Sequence, residues 1–408
     1  MGTVIGITVP AGLGWDFANF YDTGKRVAAG QVGDIYNPDS LIAGDSPQGK
    51  LSFWGAPVSA LFYVPLSLFP PTSALILFKI QNTLAYFIAL ILLYMHNLQF
   101  SDDSSFETWQ FAAMFAFLTL IYQPFWTIYR VGGQTTPTVF LLFVLALLSH
   151  TYGLFFFSSI LLILASMIKP TFLLTILCLL FISKPPFIWK TIVVLISAIL
   201  LSVIILGWNI HQQFLEVLLQ GMKKPFPWFY NSSLYVIAEN YKFLPHSKEV
   251  SELSKSILTF LPLGIKIMVS VMFAYIIRIS RGEKWSPRAR NQFDFLIAVL
   301  FCLLISQTVW EHYLALLFPF LIYIAASQRH FSYGARALLV AIFIVSIGQN
   351  LIFVNFLRTH FTFDTTVELF AIGLFKSGPL LLTLILLWRY RRELFQSYRA
   401  HAWSHQAM

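Results

Sequence analysis

One carboxylate near the amino-terminal end of the chain is the side chain best suited to chemistry. Asp16 lies in an aromatic segment from Trp15 to Tyr21, and polar residues follow it as far as Pro38. A carboxylate can act as a general base that takes a proton from a hydroxyl group during group transfer. Aspartate is also a favoured residue at helix starts, so Asp16 could instead cap a helix over residues 17–25. The residue types alone leave both interpretations open.

Four other polar side chains could bind a charged substrate, and each lies beside an apolar segment. They are Arg130, Gln134, Lys169 and His312. Arginine and lysine can neutralise a phosphate, an amide can bind a sugar hydroxyl, and histidine can donate or accept a proton. Basic side chains at helix ends also commonly extend to the membrane surface, so a structural role for Arg130 and Lys169 is the alternative.

The composition defines the class of protein. Of 408 residues, 57% are hydrophobic and only 11% are charged, which leaves too little polar surface for a soluble globule. The net charge of +9 would suggest nucleic acid in a soluble protein. Here the basic residues lie mostly at helix ends and in short loops, so we expect membrane lipids and no nucleic acid as partners. Cys178 and Cys302 lie in apolar runs and indicate neither a disulfide nor a zinc site.

The hydrophobic pattern predicts an all-α, polytopic transmembrane protein with about eleven spans. The predicted spans cover residues 73–94, 109–126, 135–148, 153–168, 171–182, 189–208, 257–277, 293–309, 313–326, 337–355 and 370–388. Prolines divide residues 53–70 into pieces too short to cross, which favours an interfacial or re-entrant segment whose Trp54, Phe62 and Tyr63 suit the headgroup boundary. Residues 14–50 are interpreted as a loop with one short helix over 18–29.

The chain is predicted to form a single integral membrane domain. Its parts are an amino-terminal stub, an outer catalytic loop and the interfacial segment over residues 1–72, helices over 73–208, an outer loop over 209–256, helices over 257–388, and a basic cytoplasmic tail over 389–408. Residues 1–10 are apolar but too short to cross about 30 Å of hydrocarbon, which needs roughly 20 residues. We expect them to be the remainder of a longer helix, either because the helix is truncated or because the start codon was assigned too far downstream. We do not expect a signal peptide.

Basic residues in the short loops predict the orientation in the membrane. Four basic sites, at residues 184–190, 281–290, 329–336 and 389–399, fit one topology when they are placed in the cytoplasm. The same topology places the following on the outer face: the Asp16 segment and residues 130–134, 169–170, 209–256, 310–312 and 358–364. Because these positions did not enter the orientation argument, their agreement supports an outer site for a charged, amphipathic substrate.

The order of these motifs resembles glycosyltransferase family 87. The resemblance rests on Asp16-Phe-x-x-Phe-Tyr-x-x-Gly, Gly30, Asp34-Ile-Tyr-Asn-Pro, Pro57, Pro65, Gly133-Gln134, Lys169-Pro170 and Trp310-x-His312-Tyr ahead of Pro319. The resemblance covers most of the chain. Each motif alone is a weak indication of the family, whereas their order and spacing together are a strong one. The family contains C-type, polyprenyl-phosphate-dependent mannosyltransferases and uncharacterised relatives. It begins with a complete membrane helix ahead of the acidic motif, whereas this chain has only the stub.

The resemblance implies the C-type glycosyltransferase fold and an inverting hexosyltransferase, with mannose as the expected sugar. It implies Asp16 as the base and His312 as a second catalytic residue that contacts the acceptor or the phosphate. Arg130, Gln134, Lys169 and Tyr21 would bind the donor phosphate or other parts of the substrate. The expected partners are a polyprenyl-phosphate-linked sugar and a lipid or cell-envelope glycan acceptor.

Neither a metal nor a cofactor is expected, because no Asp-x-Asp motif lies on the predicted outer side. The expected location is a bacterial inner membrane, with the active site on its outer, periplasmic or extracellular side. Two alternatives belong to other classes of protein: a lipid-linked glycan flippase or polymerase, and a secondary transporter. A transporter would have paired repeats and ionisable residues at mid-depth, and neither is found in the sequence.

Overall fold

The computed structural model describes residues 15–38, 53–100, 112, 133–223, 231–239, 252–348 and 366–404. Within these residues the regular structure is helical, and the β-structure consists of one isolated antiparallel bridge between Asn231 and Trp310. The prediction of an all-α protein is therefore confirmed. The predicted span 109–126 and the stub 1–10 lie outside the described residues, apart from residue 112.

The helices follow one another with short connections. The first α-helices are α1 (Trp15–Ala28), α2 (Val64–Ser67), α3 (Pro71–Phe100), α4 (Thr136–Thr151), α5 (Phe155–Ile168), α6 (Leu173–Ile182), α7 (Pro185–Leu206) and α8 (Trp208–Lys223). The later ones are α9 (Val236–Glu239), α10 (Glu252–Arg281), α11 (Pro287–Ile305), α12 (Phe318–Ala326), α13 (Tyr333–Gly348), α14 (Thr366–Arg389) and α15 (Arg391–Ser404). Short 3-10 helices occur at Val32–Asp34, Pro57–Tyr63, Pro170–Phe172, Glu311–Leu317 and Gln328–His330.

The chain divides into two compact units. The first comprises Met1–Tyr94 and Phe125–Lys224, and the second comprises Met95–Pro124 and Pro225–Met408. Asp16, Gln134 and Lys169 therefore belong to the first unit, and His312 belongs to the second.

Among the described residues, four helices are long and apolar enough to cross a membrane. These candidate spans are Pro71–Asn97, Pro185–Leu206, Leu258–Arg281 and Phe370–Arg389. Helices α4, α5 and α6 lie where spans were predicted, but they have 16, 14 and 10 residues, fewer than the roughly 20 that a straight crossing needs. The apolar helices are those of a membrane protein, and the total of about eleven spans stays a prediction.

Two segments that were predicted as a loop and a tail form helices, and a third helix begins earlier than predicted. The short helix predicted over 18–29 is α1, which starts at Trp15, so Asp16 lies in its first turn and not in the loop ahead of it. The first part of the predicted outer loop 209–256 is α8, which buries Ile210 and exposes Leu215 and Leu219. The predicted basic tail contains α15, which buries Phe395 and other apolar side chains. In α8 and α15, polar residues that interrupt the apolar pattern suggested irregular structure.

An aromatic core holds α1 within the first unit. Phe20 stacks on Tyr63 at a ring-centroid distance of 4.8 Å, and Phe17 packs against Phe78 of α3 at 5.4 Å. Tyr63, which was predicted to suit the headgroup boundary, is buried in this core. Trp54 and Phe62, from the same predicted interfacial segment, are exposed. The prolines of this segment give a 3-10 helix followed by the single turn α2, which agrees with pieces too short to cross.

Candidate functional site

Helix α1 presents Asp16 at the edge of the aromatic core. Phe17 is fully buried against Phe78, whereas Asp16 is only partly buried. Successive residues of an α-helix point about 100° apart, so the packing of Phe17 fixes the direction of Asp16. The aromatic spacing in the sequence therefore positions the carboxylate.

A glycine brings the start of α4 against this helix. Gly133 has a φ of +65°, which a side chain rarely tolerates, and a Cβ atom there would lie 2.7 Å from Cβ of Phe17. The absence of a side chain thus allows the backbone ahead of α4 to approach α1, next to Asp16. Asn82 of α3 fixes the beginning of α4, since its Oδ1 accepts hydrogen bonds from the backbone N–H and the hydroxyl of Thr138 at 3.3 and 3.0 Å.

Lys169 reaches the same place from the end of α5. Pro170 follows it and disfavours a helical conformation for the preceding residue, which is extended, with φ −133° and ψ 94°. The backbone N–H of Ala56 donates to the carbonyl of Met167 at 2.8 Å and holds this helix end. From here Nζ of Lys169 donates to Oε1 of Gln134 at 2.9 Å.

Asp16, Gln134 and Lys169 therefore form one cluster in the first unit, which we call the Asp16 cluster. Gln134 uses both ends of its amide: the N–H group donates to the carboxylate of Asp16, and the oxygen accepts from Lys169. None of the three side chains is fully buried. The neutral amide of Gln134 thus lies between a carboxylate and an ammonium group.

Burial changes the proton affinity of both charged members of the cluster. It raises the pKa of Asp16, while the charge of Lys169 and the hydrogen bond from Gln134 act to lower it. Burial also lowers the pKa of Lys169 to about 8, against the opposing effect of Asp16. A carboxylate with a raised pKa is a stronger base, and a lysine with this pKa is still mostly protonated at neutral pH.

The other predicted site residues have different surroundings. Arg130 lies outside the described residues. Tyr21 is buried in the aromatic core, and its hydroxyl donates to the carbonyl of Phe69 at 2.8 Å, so we do not include it in the site. His312 is buried in the 3-10 helix Glu311–Leu317 of the second unit, beside the ring of Tyr313 at 4.9 Å.

Sequence reasoning missed the role of Arg26. Its guanidinium is buried and donates to the carbonyls of Asp34 and Asn37 at 2.9 and 2.8 Å, which ties the Asp34-Ile-Tyr-Asn-Pro segment to α1. The side chain of Asp34 is exposed at the end of the 3-10 helix Val32–Asp34. A basic residue inside an otherwise aromatic helix was the signal that could have indicated this contact.

Sequence reasoning also missed Lys376, which is fully buried in α14 and donates to the carboxylate of Glu311. Lys376 lies inside the predicted span 370–388, so the interpretation that charged residues lie only at helix ends is wrong here. The signal was available, because a lysine within an apolar span is costly and calls for a partner. The partner could not be predicted, since it lies 65 residues earlier in the chain. As for metals, the described residues contain no group of three His, Cys, Asp or Glu side chains suited to holding an ion.

Comparison with known proteins gives one match. The family model of glycosyltransferase family 87 matches residues 53–306, which is more than half of the chain. The matched region contains Gln134 and Lys169, whereas Asp16 and His312 lie on either side of it. No curated protein and no solved structure matches the chain.

Proposed function

Because the chain belongs to glycosyltransferase family 87, we propose that it transfers a hexose from a polyprenyl-phosphate donor to a lipid or cell-envelope glycan. Mannose is the sugar that we expect. The transfer inverts the anomeric configuration and takes place at the outer face of a bacterial inner membrane. The observation that carries this proposal is the Asp16 cluster, in which a carboxylate and an ammonium group are bridged by Gln134.

The three side chains of the cluster suit the three needs of such a transfer. An acceptor hydroxyl oxygen attacks the anomeric carbon and forms the new glycosidic bond, while its proton passes to the carboxylate of Asp16. The bond between the anomeric carbon and the donor phosphate oxygen breaks, and the polyprenyl phosphate leaves with that electron pair. Lys169 stabilises the negative charge that develops on this oxygen. Gln134 keeps the base and the cation from pairing directly.

Two further residues are proposed to bind the substrates. Arg130 would add a second positive charge for the donor phosphate. His312 would bind the acceptor hydroxyl or the phosphate, because a histidine side chain can donate and accept hydrogen bonds. The basic loops support the outer location, because they predict that the Asp16 segment lies opposite the cytoplasmic side.

The donor class is tested directly by transfer of label. Purified protein in lipid is incubated with radiolabelled polyprenyl-phosphomannose, polyprenyl-phosphoglucose or a nucleotide sugar, together with a lipid extract as acceptor. We expect label to move from a polyprenyl-phosphate donor only, because the long lipid suits a membrane-embedded enzyme. Label that moves from the nucleotide sugar alone would contradict the proposed donor, and an α-linked product from an α-linked donor would contradict inversion.

A further inference from the structure

We propose that the buried pair of Glu311 and Lys376, here called the Glu311–Lys376 pair, positions His312 for the transfer reaction. The inference rests on the proposed function, in which His312 contacts a substrate. In this pair Nζ of Lys376 donates to Oε1 of Glu311, and the two side chains are 0% and 5% exposed. Glu311 immediately precedes His312, so the pair acts on the backbone that carries the histidine.

The location of Lys376 is energetically unfavourable. It lies within Phe370–Arg389, a helix apolar enough to cross a membrane, where a charged side chain is disfavoured. Replacing a buried ion pair by apolar side chains of similar size is often neutral or even stabilising, because both charges must leave water. Stability alone is therefore a poor reason for this pair, and a requirement for one conformation of the Glu311 segment is a better one.

The geometry of a 3-10 helix links Glu311 to His312. A 3-10 helix has three residues per turn, so neighbouring side chains point about 120° apart. When Lys376 fixes the direction of Glu311, it therefore also fixes the direction of the imidazole. The ring of His312 lies parallel to Trp310, with an interplanar angle of 5° and a centroid distance of 6.3 Å, and edge-on to Tyr313.

The chain ahead of Glu311 is fixed from a different side. The side-chain oxygen of Asn231 accepts from the backbone N–H groups of Ser233 and Val309, both at 3.0 Å, and its nitrogen donates to the carbonyl of Gln307 at 3.1 Å. Ser232 N–H also donates to the carbonyl of Val309 at 2.7 Å. These bonds hold residues 307–309 and occupy both the oxygen and the nitrogen of the Asn231 amide.

Helix α14 is held against residues 233–237. Ser377 donates its hydroxyl hydrogen to the carbonyl of Ser233 at 2.6 Å. A Cβ atom on Gly373 would lie 2.7 Å from Cα of Ile237, so α14 packs closely on the backbone of α9. Lys376 is thus presented to Glu311 by a helix that is itself anchored, and the residues before and after Trp310 have separate supports.

The test is a double-mutant cycle between Lys376 and His312. The variants are Lys376→Met, His312→Gln and the double variant, each measured as kcat and KM for the donor on folded, monodisperse protein. We expect Lys376→Met to lower kcat by about 10- to 100-fold, because a small misplacement of a reacting group has effects of this size. In the His312→Gln background the same change should have almost no further effect, since the residue acts through His312.

A matched control is available in the same unit. Arg281 pairs with Asp294 at 3.4 Å, and the carboxylate is buried as in the Glu311–Lys376 pair. Arg281→Met also removes a paired cation from a buried carboxylate, but Asp294 lies in α11, 17 residues before Glu311 in the sequence. We expect its kcat to remain within about twofold of wild type, with the same small effect in both backgrounds.

Several outcomes would overturn the inference. Equal losses from Lys376→Met in the wild-type and His312→Gln backgrounds would show that the pair acts independently of His312. If Lys376→Met does not fold, the neutral pair Glu311→Gln with Lys376→Met replaces it, and failure of both to fold would give the pair a purely structural role. Wild-type protein that transfers no sugar would instead refute the proposed function, and full activity of His312→Gln would refute the role of His312 itself.

Discussion

The two units each hold a carboxylate and a lysine, but in opposite arrangements. In the Asp16 cluster, the charged groups are partly exposed and are bridged by the amide of Gln134. In the Glu311–Lys376 pair, the charged groups contact each other directly and are sealed from solvent. A base must be able to reach a substrate and release its proton, which a sealed ion pair cannot do. The comparison therefore supports the chemical role proposed for the first arrangement and the positioning role proposed for the second.

The bridge in the Asp16 cluster is the main difference. A lysine in direct contact with a carboxylate would lower its pKa and weaken it as a base. Gln134 keeps Lys169 close enough to share a substrate and yet prevents direct pairing, so burial remains the largest influence on Asp16 and its pKa is raised. One amide side chain thus allows a base and a cation to serve the same site.

The largest expected effect is that of removing the base. Asp16→Asn should lower kcat by about 10³-fold, because general-base catalysis contributes about 10²- to 10⁴-fold. Donor binding, measured by equilibrium binding of the labelled lipid, should remain close to wild type. Asp34→Asn is the matched control, since it makes the same change at an exposed carboxylate on a turn. Retained transfer in the Asp16 variant would remove the chemical role from the cluster and with it the contrast between the units.

A smaller effect is expected at the cation of the cluster. Lys169→Met should lower kcat/KM by about 10- to 100-fold, the value of a charge-assisted hydrogen bond. Lys169→Arg should recover most of this activity at pH 7, because arginine also carries the charge.

The pH profile sharpens the test of Lys169. Transfer needs Asp16 ionised and Lys169 protonated, so kcat/KM should fall as the pH decreases through the raised pKa of Asp16. It should also fall as the pH increases through about 8, where Lys169 loses its proton. Since kcat/KM reports the free enzyme, Lys169→Arg should move only the alkaline limb, to much higher pH. An unchanged alkaline limb in this variant would exclude Lys169 as its source.

The smallest effect is expected at Tyr21, which lies in the same helix as Asp16 but should not take part in the transfer reaction. Tyr21→Phe removes one hydrogen bond to the carbonyl of Phe69 and should reduce the free energy of unfolding by about 1 kcal/mol. Thermal unfolding of the solubilised protein measures this change, and kcat and donor KM should equal those of wild type. A raised donor KM would return Tyr21 to the site and would extend the reactive region into the aromatic core.

Much of the fold could be predicted because hydrophobic periodicity is a local property of the chain. The helical nature of residues 71–100, 185–206 and 366–389 follows from long apolar stretches, and the structure has helices there. Helices α8 and α15 could not be recognised in the same way, because polar residues interrupt their apolar pattern. The apolar side chains that they bury, such as Ile210 and Phe395, are satisfied by packing, which a pattern of residue types does not show.

The sequence by itself determined the family and the membrane class, and it identified Asp16, Gln134 and Lys169 as candidate site residues. All of these depend on residue type and order. Only the tertiary structure decided that these three side chains meet, that Tyr21 is directed into the core, and that Lys376 meets Glu311. The physical reason is that hydrogen bonds and ion pairs act over a few ångströms. In the sequence, however, Gln134 and Lys169 are 35 residues apart, and Glu311 and Lys376 are 65 residues apart. Folding alone brings such groups within that distance.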